Sequence, residues 1–221
     1  MKKELIESEF ENGIFLLQPS HPILCTTKNE DDTDHLAPFS WCTPCSMNPL
    51  LINLSLRCKP DKQQTLINIE RTGEFVINLP DAKYAEDIVL ASFWQRFNEN
   101  KFDRSLFTKL PSLKVKPVGI VECATNLECK VVNYFSPGDH TIITAEVLAA
   151  RYDDEIFSDH WLLNIDKFTP LFHLNHYLHE DWGQVHVFCE ASKLKIAEVC
   201  FLNSEQTSQR CAIGKDKNKK G

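Results

Sequence analysis

Residues 36 to 41 read Leu36-Ala-Pro-Phe-Ser-Trp41, and the chain continues downstream with Thr65-Leu-Ile-Asn68-Ile and Gly73-Glu-Phe-Val-Ile-Asn78. Pro38 cannot donate to a central ladder, so this aromatic segment belongs at a sheet edge, where neighbouring backbone groups stay open to a flat heteroaromatic ring. Thr65 opens a short helix, and it offers an anion its hydroxyl and the exposed N–H groups of a first turn. Ring and phosphate together suggest a nucleotide-like ligand. The plainer alternative makes Thr65 only an N-cap and Arg57, at the end of the preceding strand, a solvated side chain rather than a fork for phosphate oxygens.

Outward from this segment, apolar runs rich in Val, Ile, Leu and Phe recur between turn signals. Residues 13–18, 22–28, 50–57, 75–79, 117–122, 126–135, 140–151 and 184–190 read as strands. Asn29 to Asp34 is a loop, and Ser136-Pro-Gly-Asp139 is a turn. Helices are fewer: Thr65 to Thr72 ends at Gly73, and Asp81 caps a second helix whose Tyr84, Ile88 and Ser92, and Ala85, Val89 and Phe93, recur at i, i+4. The expected fold is mainly β with peripheral helices, a barrel or sandwich. Residues 1–202 read as one domain, and 203–221 as a flexible Lys-rich tail.

The 221 residues carry a formal charge of −7; the tail is net +3, which leaves the body near −10. That argues against a nucleic-acid surface. No apolar run reaches membrane-span length, and the start Met-Lys-Lys-Glu lacks an apolar signal core, so the expected address is cytoplasmic. Nine cysteines in such a chain read as reduced thiols. Cys42-Thr-Pro-Cys45 leaves open a redox dithiol or half of a zinc site, although no second Cys-x-x-Cys and no closely spaced His follow it. None of the seven glycines forms a Gly-x-Gly-x-x-Gly or Walker-type loop, so a Rossmann or P-loop site is excluded.

The order Pro22-Ile-Leu-Cys-Thr26-Thr27, Leu36-Ala-Pro-Phe-Ser-Trp41, Ser46-Met-Asn-Pro49, Thr65-x-x-Asn68-Ile69 and Gly73-Glu-Phe-Val-Ile-Asn78 resembles the flavin reductase-like family of FMN-binding split barrels, which includes flavoredoxin. Asn100-Lys-Phe-Asp103, Val115-Lys-Pro117, Leu127-Glu-Cys-Lys130 and Gly138-Asp-His140 follow in the family's order, and the match covers roughly residues 10 to 190. The resemblance implies a six-stranded, Greek-key-like split barrel that forms a homodimer, with FMN near the interface. It places Pro38, Phe39, Ser40 and Trp41 along the isoalloxazine and Thr65 and Asn68 at the ribityl phosphate, with Ser55 and Arg57 nearby. Lys101 matches the flavin-site lysine, where a cation would favour an anionic reduced ring. Pro170-Leu-Phe172-His173 matches a loop closing over the flavin. Gly138, Asp139 and His140 match the motif used with NAD(P)H, with His140 orienting the nicotinamide.

The implied activity is NAD(P)H-dependent flavin reduction, a hydride passing from nicotinamide C4 to flavin N5 and onward to an unknown electron acceptor. A flavoredoxin-like carrier that does not use nicotinamide, and a Cys42/Cys45 dithiol or zinc module, remain the alternatives. Three departures stand out. His35 replaces the family's Asn at the ring edge, Asn48-Pro-Leu50 replaces a Pro-Pro pair, and Thr144-Ala-Glu146 replaces a Gly-containing strand. His173, His176 and His179 would share one face if helical, with Glu180 and Asp181 in reach of a metal, but Pro170 and Gly183 bracket a loop in this family and no metal is assigned.

Overall fold

The computed structural model describes residues 2–92, 100–158, 161–179, 183–190, 198–201 and 210–213. The strands are β1 (Ile23–Lys28), β2 (Asp34–Phe39), β3 (Cys42–Met47), β4 (Leu50–Arg57), β5 (Glu74–Leu79), β6 (Lys109–Leu110) and β7 (Gly119–Ile120). After them come β8 (Thr125–Phe135), β9 (His140–Tyr152), β10 (Leu171–His179), β11 (Gly183–Glu190), β12 (Glu198–Phe201) and β13 (Arg210–Ile213). Among the described residues two α-helices, α1 (Gln64–Thr72) and α2 (Ala85–Ser92), and three 3-10 helices complete the regular structure. The chain divides into two compact units, Met1–Ala191 and Ser192–Gly221. In the second, β12 pairs antiparallel with β13. β13 thus falls within the stretch read from sequence as a flexible tail, its Cys-Ala-Ile run being apolar enough to pair.

The first unit is organised by a seven-stranded antiparallel sheet in the order β2-β1-β5-β8-β9-β4-β3. β2 and β3 are its opposite edges, yet only Ser40 and Trp41 separate them in sequence. Three Cα steps span at most about 11 Å, whereas six interstrand gaps in a flat sheet would span about 29 Å. The sheet must therefore curl until its edges meet, and Ser40-Trp41 is the corner at which the barrel closes without a ladder. Both edge strands carry a proline, Pro38 and Pro44, as strands unpaired on one side allow.

Alternation fills the interior. Ile23 and Cys25, Ile52, Leu54 and Leu56, Phe75 and Ile77, and Ile143 and Ala145 point inward with Leu66 and Ile69 of α1. Truncating such a side chain to Ala costs about 2–5 kcal/mol. On the outer side Leu24 and Leu36 meet Ile88 and Ala91 of α2, Phe102, Phe107 and Leu171. α1 ends as its sequence dictates: Gly73 takes φ +70° and its N–H reaches the Ile69 carbonyl at 2.7 Å.

Several expectations are corrected. Residues 13–18 are not a strand but part of a 3-10 helix, Glu7–Leu17, since an unbroken apolar run carries no period of its own. Residues 117–122 shorten to β7. The sheet has seven strands rather than six, and β3, whose Cys-Thr-Pro-Cys-Ser-Met lacks apolar alternation, is invisible to periodicity. Residues 171–179 are a strand, not a loop or helix. Helix α1 starts at Gln64 with Gln63 at the N-cap, so Thr65 lies inside the first turn. Phe93, Glu180 and Asp181 lie outside the described residues. Among those described, no helix is long and apolar enough to cross a membrane.

Candidate functional site

The corner residues Pro38 to Trp41 form one wall of a cleft of about 230 Å³. Ser55 of β4 and His140 at the start of β9 join them, held there because Ser55 donates its N–H to the Trp41 carbonyl at 2.9 Å and Arg57 stands opposite His140 in the β4–β9 register. Ile88, Val89 and Ser92 of α2 form a second wall, and Ile14 and Phe15 of the N-terminal 3-10 helix with Gln18 just after it a third. A further recess of about 340 Å³ adjoins along Thr43, Asn53 and Ile142, sharing Ser40, Trp41 and Ser55.

His140 is fixed on two sides. Its ring lies 4.6 Å from that of Trp41, and its Nδ1 is 2.9 Å from Asp139 Oδ1. That hydrogen bond, with the nearby imidazole charge, holds the Asp139 carboxyl below the usual range. The Asp139 carbonyl accepts from the N–H groups of Cys58 and Lys59, anchoring the turn to the end of β4.

β10 contributes two imidazoles through an irregularity. His173 stands opposite Phe188 but Asn175 opposite Val187, so Leu174 is an extra residue. The bulge reverses the alternation and places His173 and His176 on one face, their rings 6.1 Å apart and nearly parallel. His173 Nδ1 lies 3.3 Å from Ser40 Oγ, and Phe15 meets His176 edge-on at 5.7 Å. Among the described residues no three His, Cys, Asp or Glu side chains gather as a metal site.

Of the residues read from sequence, Pro38, Phe39, Ser40, Trp41, Ser55, His140 and His173 line the cleft. His35, Thr65 and Asn68 are buried behind it. His35 Nε2 and Thr65 Oγ1 are 3.1 Å apart, and the Asn68 amide donates to Thr27 Oγ1 and Asn29 Oδ1. Their polar groups are spent inside the protein rather than turned to a ligand. Lys101 is held against α2, donating to the Ala91 carbonyl at 2.6 Å, and burial pulls its ammonium down to about 8. Phe172, Gly138, Asp139 and Arg57 stand next to lining residues without forming a wall. Sequence reasoning missed Gln63, which lines the cleft and exchanges two hydrogen bonds with the Arg57 backbone. Its signal is position, the residue before a helix that opens beside a strand end. His176, read from sequence only as one of three histidines sharing a helical face, reaches the cleft beside His173 through the bulge at Leu174, which leaves no trace in the residue pattern.

The two cysteines of Cys42-Thr-Pro-Cys45 face apart. Cys42 packs against the barrel interior, where burial pushes its thiol up to about 12. Cys45 is exposed and donates to Asn53 Oδ1, on the outer face of β4 between the inward Ile52 and Leu54.

A flat slot with an indole and an imidazole on one side, aliphatic walls and a few polar atoms suits a planar heteroaromatic ring. For an anion, the groups left are the first-turn N–H groups of α1, Gln63 and Arg57. The model of the family described as "Flavin reductase like domain" matches residues 18–178. A protein of Archaeoglobus fulgidus is 31% identical over 149 residues, 67% of this chain and 81% of that protein. Flavoredoxin of Desulfovibrio vulgaris shares the fold at TM-score 0.69 and 22% identity, covering 89% of this chain and 96% of that one. The NADH:FAD oxidoreductase SgcE6 of Streptomyces globisporus does so at TM-score 0.60 and 16% identity, covering 69% of this chain and 89% of that one.

Proposed function

Because this chain belongs to the flavin reductase-like family, we propose that it binds FMN in the corner cleft and reduces it with NAD(P)H. The observation that carries the reading is the tilted Trp41–His140 ring pair at the closure of the barrel, on the wall of an apolar slot. Bound FMN supplies N5 as acceptor of the hydride that the nicotinamide releases from C4. The protein binds, orients and shields. Pro38 to Ser40 present backbone at the ring edge, and Ile88 and Val89 cover the ring and exclude water. Arg57, Gln63 and the start of α1 take the phosphate. His140, braced by Asp139, orients the nicotinamide, and no side chain need move a proton for the hydride step.

The cleft is smaller than the usual 300–1,000 Å³ of a ligand site, which supports a flavin shared between two subunits. The exposed Met47 (95%) and Leu50 at the β3–β4 hairpin end, and Trp41 (41%) at the corner, are apolar surface for that homodimer. A second reading, an FMN electron carrier without nicotinamide use, takes its support from the Phe15–His176 edge contact at 5.7 Å, which occupies part of the cleft wall. The test is anaerobic titration of the purified yellow protein. Bleaching by NADH or NADPH is expected, bleaching by dithionite alone selects the carrier, and a colourless protein that refuses FMN overturns both.

A further inference from the structure

His35 lies on β2, an edge strand held by a ladder on one side only. Three residues later the same strand becomes the wall of the cleft at Pro38. Thr65, its partner at 3.1 Å, sits in the first turn of α1, which opens on the same cleft through Gln63. Both side chains are buried, His35 at 5% and Thr65 at 1% exposure. Buried polar groups in low dielectric fix geometry strongly when they are bonded to each other and are costly when they are not.

The rest of α1 is anchored elsewhere. Asn68 is bonded to Thr27 and Asn29, and the Arg71 guanidinium donates to the Lys28 and Asn29 carbonyls. These ties reach β1 and the turn after it. The first turn is tied to β2 through Thr65 and His35, while the N-cap residue Gln63 holds the helix start to Arg57 at the end of β4. The start of β2 has its own anchor in Asp34, which pairs with Lys28 and Lys109 at 2.9 Å each. The His35–Thr65 bond is therefore a strut between the strand that carries the ring-binding corner and the helix turn that faces the anion. The imidazole is long enough to reach Thr65 across the interior.

Resting on the flavin reading above, we propose that His35 is a positioning residue. Acting through Thr65, it sets the first turn of α1 against the Pro38–Trp41 corner and so determines affinity for the phosphate end of the flavin. It does not touch the ligand.

The experiment compares binding of FMN with that of riboflavin, which has the ring and ribityl chain but no phosphate, by quenching of flavin fluorescence. In H35A the Kd for FMN rises about tenfold, the worth of one buried hydrogen bond, while that for riboflavin stays within about twofold. H35Q, which keeps a donor and an acceptor at similar reach, restores FMN affinity. T65V reproduces the loss without altering the imidazole, and H35A/T65V is no worse than either single variant, as expected of partners in one bond. T65V decides the matter should H35A fail to fold. Equal weakening of both flavins, or additive losses in the double variant, overturns the inference while leaving the flavin reading in place. A wild-type chain that binds neither flavin overturns the flavin reading and this inference with it.

Discussion

Trp41 and His140 stand 99 positions apart in sequence, yet their rings meet at 4.6 Å with planes 36° apart. Barrel closure brings them together. Trp41 is the second residue of a corner that joins the two edges of the sheet, and His140 opens β9, the neighbour of β4, to whose Ser55 the Trp41 carbonyl is bonded. The indole covers one side of the imidazole and the Asp139 carboxylate fixes one ring nitrogen, so His140 has little freedom to turn. An aromatic ring constrained in this way is a fixed surface for stacking, as the proposed orientation of a nicotinamide requires.

Replacing His140 should therefore separate binding from hydride transfer. In H140A the anaerobic rate of flavin reduction by NAD(P)H is expected to fall by about 10- to 100-fold, with the Kd for FMN changed less than about threefold. W41A should weaken FMN itself by about tenfold, since it removes a cleft wall, and W41F should recover most of that loss. Stopped-flow absorbance at the flavin band measures both. A His140 variant that reduces flavin at the wild-type rate would remove the histidine from the nicotinamide site.

The cysteines give a test independent of flavin. Burial holds Cys42 at about 12 and raises the thiols of Cys25, Cys123 and Cys129 as well. Cys45 and Cys189 are exposed. Iodoacetamide at pH 8 is expected to label Cys45 and Cys189 within minutes and to leave those four unlabelled until the fold is lost, as peptide mass spectrometry will show. C42S/C45S should keep FMN binding and its reduction. Formation of a Cys42–Cys45 disulfide in the folded protein under mild oxidation would revive the dithiol reading.

The sequence disclosed the closure of this fold through one residue type. Pro38 marks β2 as an edge, and strands with dense apolar runs, such as β4 and β9, were readable because both their neighbours and their interior contacts demand Leu, Ile and Val. β3 was not readable, since an edge strand exposed on most of its length needs no apolar alternation. The site divides in the same way. The corner Pro38 to Trp41 and His140 line the cleft because backbone topology puts them there. Thr65 and Asn68 carry the right chemistry at the right spacing, but which way a helix turns its polar side chains depends on the strands beneath it, and here Thr27, Asn29 and His35 draw them inward. Tertiary partners of this kind are not encoded in local spacing.

Glu128 predicts an acid limit to stability. Its side chain is buried on β8, and although burial pushes its carboxyl upward, the N–H groups of Leu113, Lys114 and Val115 and the Arg151 guanidinium outweigh that and hold it below the usual range. With the folded value below the unfolded one, the unfolded chain binds more protons at acid pH, so this stabilisation is present above the unfolded carboxylate value and is lost as pH falls through the folded one. E128Q keeps the shape but not the charge. It is expected to cost about 2 kcal/mol at pH 7, a Tm drop of about 6 °C, and the difference from wild type should shrink below pH 4 in thermal melts followed by circular dichroism.

Lys101 gives a dependence of the same sign in an alkaline window. Its ammonium donates to the Ala91 carbonyl near the end of α2, a favourable place for a cation, but burial dominates and lowers its value from the ordinary 10.5 to about 8. Between those two values the unfolded chain holds a proton that the folded chain has released. Stability contributed by this group therefore rises with pH across that window, and below pH 8 the buried charge is carried at a cost. Because the side chain is partly open to solvent, the effect is discounted to about 1 kcal/mol, or a Tm change of about 3 °C. Wild-type Tm, measured against pH from 7 to 10.5, should show this rise relative to K101M, whose methionine fills the same space without a charge. A constant difference between the two proteins over that range would mean that the ammonium is solvated rather than buried against α2.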